Sequence, residues 1–244
     1  MSIEIIEITD RSDQGMTRPF ICRGEDGFVY FVKGRGAGRR SLICEWIAGQ
    51  LALRLDLPVA PFELVHLPEE LLSIAMRDDL DDLGAGLAFG SRRISVVELT
   101  VSHLEHVPDE TQRDVLAFDW WVCNSDRSLS GVGGNPNLFW DIKKERLVVI
   151  DHNQAFDPSC SVGEFRDVHA FWGEYYELFH DWVIQQEYVK RFETLLADWD
   201  AICDTIPREW LFLDIEQTTP TNFDFDGVKR MLMRCKDAEF WSLK

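Results

Sequence analysis

The thirty residues from Asn124 to Asn153 constrain this chain more than any other stretch. They begin with a polar loop, Asn124-Ser-Asp-Arg127. A Gly-rich segment then leads into Asn135-Pro-Asn-Leu-Phe-Trp140, and four apolar residues, Leu147 to Ile150, stop at Asp151-His-Asn153. Short apolar runs bounded by Asx, Gly and Pro read as strands around Leu138 and Val148. From Glu110 onward the remaining pattern is helical, so the second half of the fold must be mainly helix and still admit a small sheet here. The chemistry is ordered as well: an acid on a loop, an amide after it, and a second acid after an apolar strand. That is the layout of metal-assisted phosphoryl transfer, in which one group orients or deprotonates a hydroxyl and oxygen ligands hold magnesium against phosphates. Asp126, Asn135 and Asp151 are the right types in the right order, and Asn137 is a second amide able to act as the ligand. Either acid alone reads as a turn or cap residue; the combination points to chemistry.

The first hundred residues have a different character. Residues 3–8, 19–23 and 28–33 read as strands, 40–55 as a helix with apolar positions at 43, 47, 51 and 55, and 61–67 again as a strand. Residues 68–83 are expected to form an acidic helix, 84–93 a Gly-punctuated segment, and 94–99 a further strand. The dense aromatics between Phe165 and Trp182, spaced by three and four, are expected to mark a buried helix face. His169 is expected to pack on a helix, and His152 to hydrogen-bond within the site.

Composition limits the partners. A formal net charge of −18 argues against broad nucleic-acid or anionic-membrane binding, which needs clustered Lys and Arg. A nucleotide site in so acidic a chain has to be locally basic or filled by metal. Forty-five per cent apolar residues and nine Trp indicate an ordered globular protein, and 244 residues suffice for one domain or two closely packed lobes. The six cysteines are too dispersed for CxxC metal pairs or a compact disulfide framework and read as reduced and mostly buried. No secretory leader or membrane-length apolar run is evident, so the expectation is a soluble cytoplasmic protein.

The composite Asp126-Arg127, Asn135-Pro-Asn-Leu138, Ile150-Asp-His152 resembles the kinase-like catalytic domain of the HipA family, especially its shorter stand-alone members. The match is strongest over residues 116–156 and weaker over about 15–100. The resemblance implies an α+β, two-lobed protein-kinase-like fold, with a small β-rich N-terminal lobe at residues 1–100 and a mainly helical lobe at 101–244. It implies ATP and Mg²⁺ as cofactors, Asp126 as the catalytic aspartate that orients or accepts the proton of the hydroxyl, Asn135 as the metal-ligating amide and Asp151 as the second metal ligand. It further implies a Ser or Thr of an unidentified protein as substrate, and a link to toxin–antitoxin systems. Two features depart from the family pattern. Asn135 falls nine positions after Asp126, where the kinase catalytic loop reads Asp-x-x-x-x-Asn. Asn153 stands in the usual place of Gly, where its tolerance of a left-handed backbone is expected to preserve the turn.

Lys33 closes the apolar strand 29–32, the position from which a kinase lysine reaches the ATP phosphates, and Glu45 on the next helix is the natural acid to pair with it. The loop from Ser12 to Thr17 is the candidate phosphate cover, with Ser12, Gly15 and Thr17 as donors. Gly34-Arg-Gly-Ala-Gly38 lacks the GxGxxG spacing, which removes a dinucleotide-binding reading. Ile94 to Thr100 is the candidate connection against which adenine rests. Two alternatives remain: a nucleotide-binding regulator without catalysis, and a metal-dependent hydrolase using Asp151, His152 and Asp157.

Overall fold

Period-two alternation builds the first half of the chain. The computed structural model describes residues 2–13, 17–129 and 134–243. Strands β1 (Ile3–Arg11), β2 (Phe20–Gly24) and β3 (Val29–Lys33) are followed by helix α1 (Arg39–Arg54) and strand β4 (Phe62–Leu67). Helix α2 (Glu69–Ile74) and strand β5 (Gly86–Arg92) come next. The five strands close a barrel in the order β1-β2-β3-β5-β4, antiparallel throughout except where β4 meets β1 in parallel. Ile5, Phe20, Cys22, Tyr30, Val32, Val65 and Leu67 are buried together in its core, as expected for the inward set of a small barrel.

Two glycines are required by close approach. A Cβ on Gly90 would lie 2.5 Å from Cγ1 of Val65, so this strand position admits only Gly. A Cβ on Gly34 would lie 2.0 Å from the Leu83 carbonyl oxygen, which accepts the Arg35 N–H at 3.1 Å. The residues after β3 are thereby fastened to a short 3₁₀ turn at Leu80–Asp82.

Two expectations for this region are corrected, and one segment without an assigned element gains one. The acidic helix over 68–83 stops at Ile74, and Arg77 instead folds onto Asp79 at 2.9 and 3.0 Å. Four carboxylates in the five residues from Asp78 to Asp82 repel one another in a helix and are poor helix formers. The Gly-punctuated segment is a full strand, β5. Conversely, the strand expected over 94–99 shrinks to β6 (Val97–Glu98). The chain here passes between two ladders: the Arg93 N–H, just before it, goes to Val29 in the barrel and the Leu99 N–H to Leu138.

The chain divides into two compact units. One comprises residues 1–46, 60–95 and 206–223; the other comprises 47–59, 96–205 and 224–244. The return of residues 206–223 to the barrel unit is anchored by Trp210, whose indole N–H donates to the Leu87 carbonyl at 2.8 Å. The Leu87 N–H donates to Glu209 at 2.6 Å.

The second unit contains β6, β7 (Leu138–Asp141) and β8 (Arg146–Val149) in one antiparallel sheet. Around it are helices α3 (Val101–Leu104), α4 (Asp109–Val122), α5 (Val162–Val168), α6 (Tyr175–His180), α7 (Trp182–Ala197), α8 (Trp199–Cys203) and α9 (Phe225–Met233). Helix α4 starts with Asp109 and Glu110, acids that suit its positive N-terminus, and buries nearly all of its last two turns. Trp121 stacks on Phe192 of α7 at 4.2 Å and donates to the Leu232 carbonyl of α9 at 2.8 Å. The aromatic stretch is not one buried helix face. It is broken between α5, a 3₁₀ turn at Trp172–Glu174, α6 and α7, so Phe165, Phe171 and Phe179 are buried while Tyr175, Tyr176 and Trp182 are exposed. No helix among the described residues is long and apolar enough to cross a membrane.

Candidate active site

The site in the second unit is built on the end of α4. Cys123 caps this helix with φ 52°, and its N–H bonds back to Asp119 and Trp120. A left-handed non-Gly residue costs on the order of 1–2 kcal/mol, and here it turns the chain abruptly into Asn124-Ser-Asp-Arg127.

Asp119, on the buried face of α4, holds that loop. Its Oδ1 accepts from Asn124 Nδ2 at 2.9 Å, and its Oδ2 accepts from Arg127 Nε at 2.5 Å and contacts His169 Nε2 at 3.2 Å. Burial alone would raise the Asp119 carboxyl. The Arg127 charge, together with the His169 hydrogen bond and charge, outweighs it and holds the carboxyl below its ordinary value. Both side chains of the Asp119–Arg127 pair are fully buried, so removing one partner would strand a charge in the interior. His169 therefore belongs to this network as well as to the aromatic packing around Phe165 and Phe171.

Arg127 then joins the two downstream segments. Its Nη1 donates to the Asn137 carbonyl at 3.2 Å and to the Ile150 carbonyl at 2.9 Å. One guanidinium thus fixes the backbone at the amide segment and at the residue immediately before Asp151. Sequence reading marked Arg127 only as the neighbour of Asp126 and missed Asp119. The available signal was an acid inside the apolar run Val115 to Trp121, where an unpaired carboxylate is not tolerated.

The structure places Asn137 on Asp126. The Asn137 amide Nδ2 donates to the Asp126 backbone carbonyl at 2.9 Å and to its Oδ2 at 3.0 Å. Gln154 Nε2 donates to the same Oδ2 at 3.1 Å, a contact sequence reading did not foresee. Asn135 is exposed, and its N–H donates to Ser128 Oγ at 3.2 Å. Asn137 and Asp151 both have left-handed backbones, with φ 51° and 58°. Strained non-Gly positions of this kind cluster at sites where the surroundings over-determine the conformation. The expectation that Asn153 takes the left-handed position is corrected, because Asp151 takes it and receives the Asn153 N–H on its own Oδ1 at 3.3 Å. His152 is buried against Phe118 in an edge-on contact at 5.7 Å.

In the barrel unit, Lys33 Nζ and Glu45 Oε2 meet at 2.6 Å, with side-chain exposures of 10% and 4%. That burial removes most screening, so the carboxylate fixes where the ammonium is held. The Ser12 N–H bonds to the Pro19 carbonyl at 2.8 Å, which closes the β1–β2 connection, and Thr17 is half-buried in it. Gly15 lies outside the described residues. Arg11 ties the same connection to Asp79 and Asp82 at 3.4 and 2.7 Å.

Among the described residues, no group of three or more His, Cys, Asp or Glu side chains is arranged to hold a metal. Carboxylate and amide oxygens of the type a hard cation such as Mg²⁺ takes are present at Asp151 and Asn137.

Each unit carries groups of types that phosphoryl transfer uses, an ion-paired lysine after a barrel strand in one and an acid–amide pair and a strand-end acid in the other. The chain belongs to the HipA-like kinase family, whose model matches residues 5–244. Among solved structures it is similar to the Helicobacter pylori proinflammatory kinase CtkA, with 11% identity, a TM-score of 0.46, and coverage of 97% of this chain and 92% of that one. No curated protein matches it.

Proposed function

We propose that this protein is an ATP- and Mg²⁺-dependent kinase that phosphorylates a Ser or Thr hydroxyl of a protein partner. The observation that carries the reading is the Asn137–Asp126 pair. One amide nitrogen holds both the backbone and the carboxylate of Asp126, while Arg127 grips the carbonyls of Asn137 and Ile150. Phosphoryl transfer asks little covalent chemistry of a protein and much positioning. Such a buried clamp supplies positioning.

Asp126 accepts or orients the proton of the attacking hydroxyl. Asn137 and Asp151 are the oxygen ligands for Mg²⁺, which when bound neutralises charge on the phosphates. Asn135 is the alternative amide, and its exposure makes it the weaker candidate. Lys33, held by Glu45, offsets negative charge on the ATP phosphates, and Ser12 and Thr17, with Gly15 outside the described residues, are the candidate phosphate cover. In so acidic a chain, this paired lysine and the divalent cation supply positive charge for an anionic nucleotide.

ADP formation from MgATP, measured in the wild type and in Asp126→Asn, tests the proposal. The variant is expected to bind ATP as tightly as the wild type and to lose about 10²–10⁴-fold in turnover, the usual range for a positioned acid–base group. Equal turnover in the two proteins removes Asp126 from the mechanism. ATP binding without turnover in the wild type, with candidate partners supplied, assigns the chain to nucleotide-binding regulators instead.

A further inference from the structure

Two of the six cysteines, scattered in the sequence, are brought together by the fold. Cys123 is the left-handed residue that ends α4, and Cys160 lies in the segment between Asp151 and α5. The two thiols are neighbours on the wall of one cleft, close enough for the Cys160 thiol to act on Cys123. Arg234, just past α9, donates from Nη2 to Cys123 Sγ at 3.3 Å. Cys123, which is buried, and Cys160, which is half-buried, line one cleft of about 220 Å³ with Trp120, Arg234, Asp237, Glu239 and Phe240. That volume is several times the roughly 30 Å³ share of one liquid water, so a small polar oxidant fits it.

The electrostatics separate this pair from the other cysteines. The hydrogen bond from Cys160, aided by the Arg234 charge, overcomes burial and holds the Cys123 thiol down at about 7. Burial pushes Cys22 and Cys44 up to about 12, and Cys203 and Cys235 up to about 11. A thiolate beside a guanidinium, with a second thiol next to it on the wall of one cleft, is the arrangement of a reactive rather than a structural cysteine.

We infer that Cys123 and Cys160 form a dithiol site that hydrogen peroxide converts reversibly to a disulfide. The Cys123 thiolate attacks one peroxide oxygen, the O–O bond breaks, and sulfenic acid forms with hydroxide as the leaving group. The Cys160 thiol then attacks the sulfenic sulfur, the S–O bond breaks, and water leaves with the thiol proton as the S–S bond forms. The two sulfurs together lose two electrons and the peroxide gains them; the hydroxide takes up the proton released when Cys123 ionised. The bond ties a residue three positions before Asp126 to one nine positions after Asp151. The site rests on the placement of the two thiols and Arg234 on one cleft, and it does not depend on the phosphotransfer reading.

The test is a hydrogen peroxide titration of the full chain, followed by denaturation in N-ethylmaleimide, intact mass and non-reducing peptide mapping. The expected result is a fall from six labels to four, one linked peptide containing Cys123 and Cys160, and full recovery with dithiothreitol. In Cys160→Ser, where the half-exposed position tolerates the change, Cys123 is expected to yield a dimedone adduct in place of the disulfide. Six labels retained under excess peroxide, or a linked peptide pairing either residue with another cysteine, would overturn the inference. A Cys160→Ser protein that is folded and gives no adduct at Cys123 removes that residue as the attacking thiol.

Discussion

Replacing Arg127 with Met puts the buried clamp to a quantitative test. The substitution keeps much of the side-chain volume and removes three hydrogen bonds: to Asp119 at 2.5 Å, to the Asn137 carbonyl at 3.2 Å and to the Ile150 carbonyl at 2.9 Å. Breaking a fully buried ion pair by deleting one partner costs about 3–5 kcal/mol, because the remaining charge is left without compensation. Each lost bond from a charged donor is worth about 1.5–3 kcal/mol, but these terms share one side chain and do not sum. A loss near 4 kcal/mol is therefore expected, a large part of the roughly 5–15 kcal/mol that stabilises a typical domain. For chains of 150–250 residues each kcal/mol moves Tm by about 2–4 °C, so the unit containing Arg127 should melt about 8–16 °C lower. The double variant Arg127→Met/Asp119→Leu removes the stranded carboxylate and is expected to recover a good part of that loss, although Asn124 and His169 then lack their acceptor. Differential scanning calorimetry of the three proteins decides it. A single variant within about 2 °C of the wild type, or a double variant melting no higher than the single, would refute the reasoning.

Asn137→Ala is expected to lower MgATP turnover by about 10²–10³-fold, whereas Asn135→Ala, at an exposed position, should change it by no more than about twofold; the reverse order would make Asn135 the ligand. Lys33→Met should weaken ATP binding at least about tenfold, roughly 1.4 kcal/mol, measured by isothermal calorimetry. Gly34→Ala forces a Cβ to within 2.0 Å of the Leu83 carbonyl and should cost about 1–3 kcal/mol in urea unfolding. The depressed Asp119 carboxyl contributes stability that is fully present above its unfolded value of about 3.9 and is lost as pH falls through the lower folded value. Arg127, His169 and His152 face it. The stability gap between wild type and Asp119→Asn should accordingly be flat from pH 7 to about 5 and shrink in stronger acid; a gap that widens on acidification contradicts the assignment.

Local pattern made much of the fold legible. Alternation located β1 to β4, the apolar spacing located α1, and the Asx- and Gly-bounded apolar runs located β7 and β8. The Lys33–Glu45 contact followed from a strand end and a helix face twelve residues apart. Features set by distant contacts were not legible. β5 was hidden because its glycines suit turns, and only the Val65 side chain across the ladder explains why Gly90 belongs in a strand. The helix expected to reach residue 83 ended early because Arg77 folds onto Asp79 and Arg11, from β1, binds Asp79 and Asp82. The short distance between Asn135 and Asn137 in sequence conceals opposite environments. Asn137 is buried on Asp126, while Asn135 sits on the surface. Asp119 and the Cys123–Cys160 contact depend on pairings that no local spacing encodes.

Calorimetric titration of ATP into the purified protein, with and without Mg²⁺ and alongside Asp151→Ala, tests the central claim most directly. The account predicts magnesium-dependent binding in the wild type that is lost in the variant, because Asp151 is assigned as a ligand for the cation that holds the phosphates. Binding that is indifferent to Mg²⁺ and to Asp151, or no binding to the folded wild type, would contradict it.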